Sequence, residues 1–399
     1  MTPRYTRNGQ PTIAYVVQDR EFIGTHRAHL VELVRDAGWD VHIVSRPTID
    51  STVPLEGVCY HTVPLDRSAV TPWREPVAAL ALRRLYERLQ PDICHHITFK
   101  PIVLGAFAVN SILGKSRVVN DLPGLGHMFT RHGFKERVVA RVMMGCYRYA
   151  FARDEREQVV IVENRADARE IQELGESVTV RVGKGSGVDT NRFTCPSPGE
   201  RPTKPPIVGY VGRLLRKKGV VDFVRAARLL SQRGVDAEFV VAGSPDPENA
   251  SSVDEETVQE WILDGAINYV GWQEDVETLL RRLSVLCLPT RYREGVPKVL
   301  LEAGASCCAM IVSDVESCRT VVDNGVTGVT IPVGSVTDLS DAIEHLVASP
   351  SLRRDLGEAA RRKVARKFSV EAASAEFIRA YTTVWPELTR KQGSGSARA

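Results

Sequence analysis

No segment of this chain is both long and apolar enough to cross a bilayer. The longest apolar run, Pro101 to Leu113, is broken by Asn110 and falls short of the ~20 residues a spanning helix needs. The N-terminal MTPRYTRNGQPT has no apolar stretch behind its charges, which predicts no secretory signal and leaves only peripheral membrane contact as an expectation. C-x-x-C pairs are missing too. The eight cysteines are Cys59, Cys94, Cys146, Cys195, Cys287, Cys307, Cys308 and Cys318. Adjacent Cys307 and Cys308 could close only a strained ring. All eight are therefore expected to be reduced, mostly buried, in a cytoplasmic protein. An excess of one charge sign is absent, and a net charge of +3 gives no argument for a nucleic-acid partner. The G-x-G-x-x-G pattern is absent, which speaks against an NAD-type site, and no repeat of solenoid or propeller period occurs.

What is present fits a globular chain of two domains: 399 residues, 43% hydrophobic and 25% charged. Strand-like and helix-like segments alternate from the start. TIAYVVQ (Thr12–Gln18) is β-branched, Leu30, Leu33 and Val34 keep helical spacing up to Gly38, and VHIVS (Val41–Ser45) reads as a strand again. DICHHI, RVVND and VVIVEN continue the pattern. After the Pro-rich TCPSPGERPTKPP it restarts with IVGYVGR, AEFVVAG, NYVGW, VLCLPT and MIVSD. Such alternation means α/β architecture: two Rossmann-like domains with parallel sheets facing an interdomain cleft, with ligands expected at the carboxyl ends of the strands.

Two stretches carry chemistry. In GYVGRLLRKKGVVDFV a strand ends at Gly212–Arg213, a basic loop follows, and Gly219 leads into a helix. Helix-terminal N–H groups with two cations suit a diphosphate, although a solvated basic turn would look the same. In YREGVPKVLLEAGASCCAM, Pro297 fits the first position of a helix. Glu294 precedes that helix and Glu302 lies ~7.5 Å beyond Pro297 along it. A phosphate at the helix start and sugar hydroxyls on the carboxylates would use this layout, each charge-assisted bond being worth roughly 1.5–3 kcal/mol. A capped helix with one solvated glutamate is the plain alternative.

Taken together, GRLLRKKG, LPTRYREGVPKVLLEA and GSGVDTNRF resemble the retaining family 4 glycosyltransferases of the GT-B fold. VVQDREFIGTHR, HHITFKP, VVNDLPGLGHMFT and DNGVTGVTIPVGSVTDL extend the resemblance over nearly the whole chain, in order. The GLG and SGVD segments look like the bacterial subgroup that extends lipid-linked surface saccharides. The Pro-rich stretch reads as a linker over 196–206, and the resemblance makes 1–195 an acceptor-binding domain and 207–368 a nucleotide-sugar-binding domain. Helical spacing of Phe377, Ile378, Tyr381 and Val384 predicts a C-terminal helix over 369–388, expected to pack back on the first domain, and the tail over 389–399, without an apolar anchor, is expected to be disordered.

The resemblance further implies a hexosyl- or N-acetylhexosaminyltransferase that takes its sugar from a nucleotide, UDP being the commonest. The acceptor would be a saccharide, lipid-linked in the subgroup, used in cell-surface polysaccharide synthesis. No metal or other cofactor is required, because fixed cations can stabilise the departing diphosphate. Arg213 and Lys218 match the two cations, Glu294 the carboxylate near the transferred sugar, and Glu302 the one on the ribose. Gly212, Gly295, Val296 and Lys298 match the segments under sugar and phosphate, and Trp272 the region that receives the base. On the acceptor side the resemblance implies Gly24, His26, Arg27, His96, Gly124, Gly126 and His127, with Asp121 as a catalytic group. The paired His95 and His96 could equally be structural, and a metal reading lacks a third ligand. From Arg131 to Arg153, basic residues alternate with Val138, Val139, Val142, Met143 and Met144. That helix suits either an anionic membrane face or a core with a solvated basic side.

Three departures keep a non-catalytic partner subunit open as a rival. Cys307-Cys308-Ala309-Met310 stands where the subgroup has Cys-Gly-Arg-Pro, Glu316-Ser317 replaces Pro-Gly, and Thr320 replaces a glutamate. A nucleotide-sugar epimerase is the other rival, and the combination of GRL…KG with E-x7-E argues against it.

Overall fold

The structure is a computed structural model that describes residues 10–47, 55–65, 75–111, 116–125, 134–152, 157–175, 178–197, 199–201 and 205–386. The chain divides into two compact units, one made of residues 1–186 with 373–399 and the other of 187–372.

In the first unit, seven described strands form one sheet: β1 (Thr12–Val16), β2 (Asp40–Ser45), β3 (Cys59–Thr62), β4 (Ile93–Ile97), β5 (Arg117–Leu122), β6 (Gln158–Val162) and β7 (Val180–Val182). Their order is β3-β2-β1-β4-β5-β6-β7, and every pairing is parallel. β1, β4 and β6 are buried at every position, as strands covered on both faces must be. Alternation sorts their side chains. Ile13 and Tyr15 join a core with Val41, Ile43 and Ile93, while Ala14 and Val16 face the opposite core with Leu82, Leu85 and Leu104. The first of these cores is completed by Phe377, Ala380, Tyr381 and Val384 from the Val370–Val384 helix.

The second unit holds β8 (Ile207–Val211), β9 (Glu238–Ala242), β10 (Asn268–Gly271), β11 (Val285–Leu288), β12 (Ala309–Ser313) and β13 (Val329–Ile331). All are parallel, in the order β10-β9-β8-β11-β12-β13. Both sheets thus reverse strand order once, between β1 and β4 and between β8 and β11. Crevices at such reversals, outside the carboxyl strand ends, are where open α/β sheets take their ligands.

The division between units falls ahead of the Pro-rich stretch read as a linker. Val188 and Phe193 already belong to the second unit's core. Arg361 donates to the Thr190 and Phe193 carbonyls, and Arg201 donates to the carbonyls of Arg281, Ser306 and Cys307. Arg201 thus straps the stretch to carbonyls at the ends of two helices. Residues 198, 202–204 and the expected tail over 389–399 lie outside the described residues.

One expectation on cysteines is overturned. Cys195 and Cys307 form a disulfide, with Cα atoms 5.0 Å apart across a sequence separation of 112. Neighbour spacing could not reveal a pair that only the tertiary fold brings together. Cys94, Cys287, Cys308 and Cys318 are buried thiols outside any disulfide. Among the described residues no helix is long and apolar enough to cross a membrane.

Candidate active site

At the carboxyl end of β8 the chain makes a short 3-10 turn, Arg216–Lys218, and enters the Val220–Gln232 helix through Gly219. Gly219 sits at φ +81°, and a Cβ there would stand 2.0 Å from the Pro289 carbonyl oxygen. Only glycine fits. Pro289 follows β11, so this turn is pressed against the strand across the order reversal. From β11 the chain runs through Tyr292, Glu294 and Gly295 to Pro297. The proline caps the Lys298–Ala305 helix instead of filling its first position, because its ψ of 115° keeps it extended. Neither helix has a side-chain N-cap, which leaves N–H groups of both first turns for another acceptor.

Charged side chains gather between these helix starts. Lys218 Nζ lies 2.9 Å from Glu294 Oε2, while Glu294 Oε1 is buried without a hydrogen-bond partner. Lys298 Nζ lies 3.0 Å from Glu302 Oε1, one helical turn along. Arg213 donates from Nη1 to Asp246 Oδ2 at 2.7 Å. Trp272, just past β10, is 67% exposed. The Tyr292 phenol is pushed up by burial and then by the Glu294 carboxylate. Burial and the same carboxylate push up the Cys318 thiol. The Glu294 carboxylate therefore acts on the Glu316–Val321 helix as well as on its own neighbour Tyr292.

In the first unit, β1 leads into a π-helical turn, Ile23–Arg27. Gly24 is exposed with open space around it, and Arg27 turns inward to 2% exposure. Arg27 Nε donates to Asp121 Oδ2 at 2.9 Å, and Nη2 donates to Glu163 Oε1 at 3.3 Å. Its guanidinium carbon lies 4.8 Å from the Phe377 ring centroid. Burial alone would lower the Arg27 pKa, but Asp121 and Glu163 raise it above the ordinary value. His95 and His96 point to opposite faces of β4. His95 Nδ1 meets the Tyr381 hydroxyl at 2.8 Å, and its Nε2 stands 3.8 Å from Asp121 Oδ2. His96 is held by the Tyr86 hydroxyl at 2.8 Å and Asn120 Oδ1 at 3.2 Å.

Two family models match this chain: glycosyl transferase 4-like over residues 12–164 and glycosyl transferases group 1 over residues 193–363. The chain belongs to the glycosyltransferases. The capsular polysaccharide biosynthesis glycosyltransferase CapM of Staphylococcus aureus is 25% identical over 371 residues, 90% of this chain and 94% of the relative. The N,N'-diacetylbacillosaminyl-diphospho-undecaprenol alpha-1,3-N-acetylgalactosaminyltransferase of Campylobacter jejuni is 31% identical over 247 residues, 59% of this chain and 62% of the relative. Among solved structures, the sucrose-phosphate synthase of Thermosynechococcus elongatus superposes with a TM-score of 0.79 at 19% identity, over 94% of this chain and 100% of the other. Anabaena HepE in complex with UDP gives 0.71 at 15% identity, over 93% and 100%. The fold is GT-B.

In this glycosyltransferase the residues singled out from sequence separate into two kinds. Gly212, Arg213, Lys218, Glu294, Gly295, Val296, Lys298 and Glu302 lie at the carboxyl side of β8 and β11 or at the helix start that follows, and Trp272 lies past β10. Several residues expected on the acceptor side are core instead. His96 and Asp121 are both 0% exposed and Arg27 2%, so their side chains are packed inside the first unit instead of standing on its surface. The reason for His96 is packing: a Cβ on Gly105 would fall 2.2 Å from His96 Nε2, which marks a ring wedged against a helix. Asp121 is committed to Arg27. Gly24 and Gly124 are exposed and His26 is half-buried, stacked on Phe22 at 4.4 Å. Gly126 and His127 lie outside the described residues.

Glu163, Asp246 and Tyr381 were missed by sequence reading. Glu163 stands one residue past β6, where the strand-end rule could have found it. Tyr381 sits in the far C-terminal helix, and nothing local marks it. The departures in ASCCAM have a structural account. Cys307 is tied to Cys195, and Cys308, Ala309 and Met310 are fully buried in the second unit's core. Thr320 donates to the Glu316 carbonyl at 3.0 Å within its own helix.

Proposed function

We propose that this glycosyltransferase moves a hexose or N-acetylhexosamine from a UDP-sugar to a lipid-linked saccharide, with retention of anomeric configuration, in cell-surface polysaccharide synthesis. The observation that carries this reading is the Lys218–Glu294 pair, set between two helix starts without side-chain caps at the β8/β11 reversal. On binding, the diphosphate takes Lys218, Arg213 and the helix N–H groups as its donors. Glu294, released from Lys218, accepts hydrogen bonds from the transferred sugar, and Glu302 does so from the ribose. Gly212, Gly295, Val296 and Lys298 form the wall beneath, and Trp272 receives the base. As the anomeric C–O bond breaks, negative charge grows on the diphosphate, and cations already aimed there lower the barrier. UDP is supported by its presence in the Anabaena HepE structure. A lipid-linked acceptor is supported by what the Campylobacter relative's name says it acts on. The acceptor loop is Gly24–His26 with Gly124.

The direct test follows nucleotide release from a panel of UDP-, GDP- and ADP-sugars. Release is expected from a UDP-sugar, and Lys218→Ala should cut it about a hundredfold or more with an unchanged unfolding midpoint. Undiminished release in that variant sinks the diphosphate assignment.

The same reading places the enzyme at the cytoplasmic face of a membrane. The Phe134–Ala150 helix exposes Val138 and Val142 (46% and 62%) beside Arg141 and Arg148. Its Tyr149 stacks at 4.4 Å on exposed Phe107. Apolar side chains interleaved with arginines suit an anionic headgroup layer. Flotation with phosphatidylglycerol vesicles should carry the protein upward and phosphatidylcholine vesicles should not. Retained flotation in Val142→Glu would count against this face.

A further inference from the structure

The buried polar array of the first unit has one feature that neither donor binding nor sugar transfer explains. A run of hydroxyls and one imidazole connects β1 to the C-terminal helix and ends on Asp121. Tyr15 and Tyr381 face each other oxygen to oxygen at 3.0 Å, Tyr381 meets His95 Nδ1 at 2.8 Å, and His95 Nε2 stands 3.8 Å from Asp121 Oδ2. Tyr15, Tyr381, His95 and Asp121 are each 0% exposed, so the protons in this run must be shared among these groups.

Only two arrangements are open to a neutral imidazole. In one, His95 carries its proton on Nδ1 and gives it to Tyr381, and Tyr381 gives its own to Tyr15. The Tyr15 proton then has no acceptor, and the bare Nε2 lone pair faces a carboxylate. A buried donor left without a partner is costly, and the lone pair against Asp121 adds repulsion. In the other arrangement, Tyr15 donates to Tyr381, Tyr381 donates to His95 Nδ1, and the imidazole proton sits on Nε2 facing Asp121. Both phenol protons then have acceptors, and the imidazole proton faces the carboxylate at 3.8 Å, an electrostatic contact longer than a hydrogen bond.

The geometry points to Tyr381 as a positioning residue that holds His95 in its Nε2–H form and, through Asp121, keeps Arg27 turned inward beneath the π-helical turn. The inward Arg27 leaves Gly24 and Thr25 exposed. Where that loop is the acceptor loop, which rests on the function proposed above, the C-terminal helix sets its shape. Phe377 of the same helix adds a ring 4.8 Å from the Arg27 guanidinium. Burial lowers the His95 pKa more than Asp121 raises it, in keeping with a neutral ring.

The test uses full-length protein labelled with 15N in histidine and arginine. Long-range proton–nitrogen correlation reads the His95 tautomer directly, with His95→Gln assigning the signal. At neutral pH the proton is expected on Nε2 and a hydrogen-bonded lone pair on Nδ1. In Tyr381→Phe the Nδ1 signal should move to that of an unbonded nitrogen. The Arg27 Nε–H should also exchange with water about tenfold faster or more, as its anchor loosens. A wild-type proton on Nδ1 overturns the tautomer assignment without any variant. A Tyr381→Phe protein whose Arg27 exchange is unchanged overturns the positioning role. Neither result touches the donor-site reading, which stands or falls on nucleotide release.

Discussion

Arg27 shows how a single residue can carry a cost that its neighbours must offset. A guanidinium at 2% exposure survives because two carboxylates meet it, and removing one partner of such a group strands the charge. Asp121→Asn should therefore destabilise the protein by about 3–5 kcal/mol at neutral pH, read from urea unfolding. Its acid behaviour follows from the sign of the shift. Burial pushes the Asp121 carboxyl up, but Arg27 and His95 bring it below its ordinary value. A depressed folded pKa contributes stability that is full above the unfolded value of ~3.9 and drains as pH falls through the lower folded value. Unfolding midpoints measured from neutral pH down should drop below about pH 4 in the wild type, and Asp121→Asn should flatten that drop. Equal slopes in both proteins would show that the Arg27 contact contributes nothing to acid stability. The sequence marked Arg27 and Asp121 as polar residues near strand ends. That they point at each other and away from solvent depends on the π-helical turn, and one inserted residue leaves no trace in hydrophobic periodicity.

Elements were more legible than side-chain directions. Buried parallel strands must be runs of Val, Ile and Tyr, so TIAYV, IVGYV and VLCL announced themselves. The basic loop before Gly219 was legible for the same reason: a strand, a short turn and a helix in immediate succession leave little freedom. β4 was harder, since ICHHI is fully buried despite two histidines, and alternation alone cannot say which face each ring meets. The turn at Gly219 gives the element-scale prediction. Gly219→Ala must fit a Cβ at φ +81° against the Pro289 carbonyl, which should cost about 1–3 kcal/mol or shift the turn. Urea unfolding measures the first outcome and slowed nucleotide release the second. A variant equal to wild type in both would mean that β11 does not brace the turn.

At the scale of the whole molecule, the two Rossmann-like units were readable from alternation, but their boundaries were not. Proline content pointed to residues 196–206, whereas Val188 and Phe193 already pack into the second core. The Cys195–Cys307 bond likewise exists only because the fold brings distant residues together. The largest such effect is the C-terminal helix, which inserts Phe377, Ala380, Tyr381 and Val384 into a core otherwise made of β1, β2, β4, β5 and β6 with Ile23, Leu30, Val31 and Val34 from the helical segments after β1. A chain ending at residue 369 loses all four. Phe377→Ala alone should cost roughly 3–5 kcal/mol, and the truncated chain should lose the first unit's unfolding transition by calorimetry while keeping the second's. Two intact transitions would mean the helix is an accessory.

That helix also imposes a timetable. β1 leaves the ribosome long before Phe377 and Tyr381, which join its core and are made after the whole second unit. At ~5–20 residues per second the interval from Ser186 to Phe377 lasts roughly 10–40 s. Throughout it the nascent protein holds Ile13, Tyr15 and Ile43 in a core that has Leu30, Val31 and Val34 but still lacks its four C-terminal residues, an open invitation to chaperones. The first unit must be held in waiting for the Val370–Val384 helix.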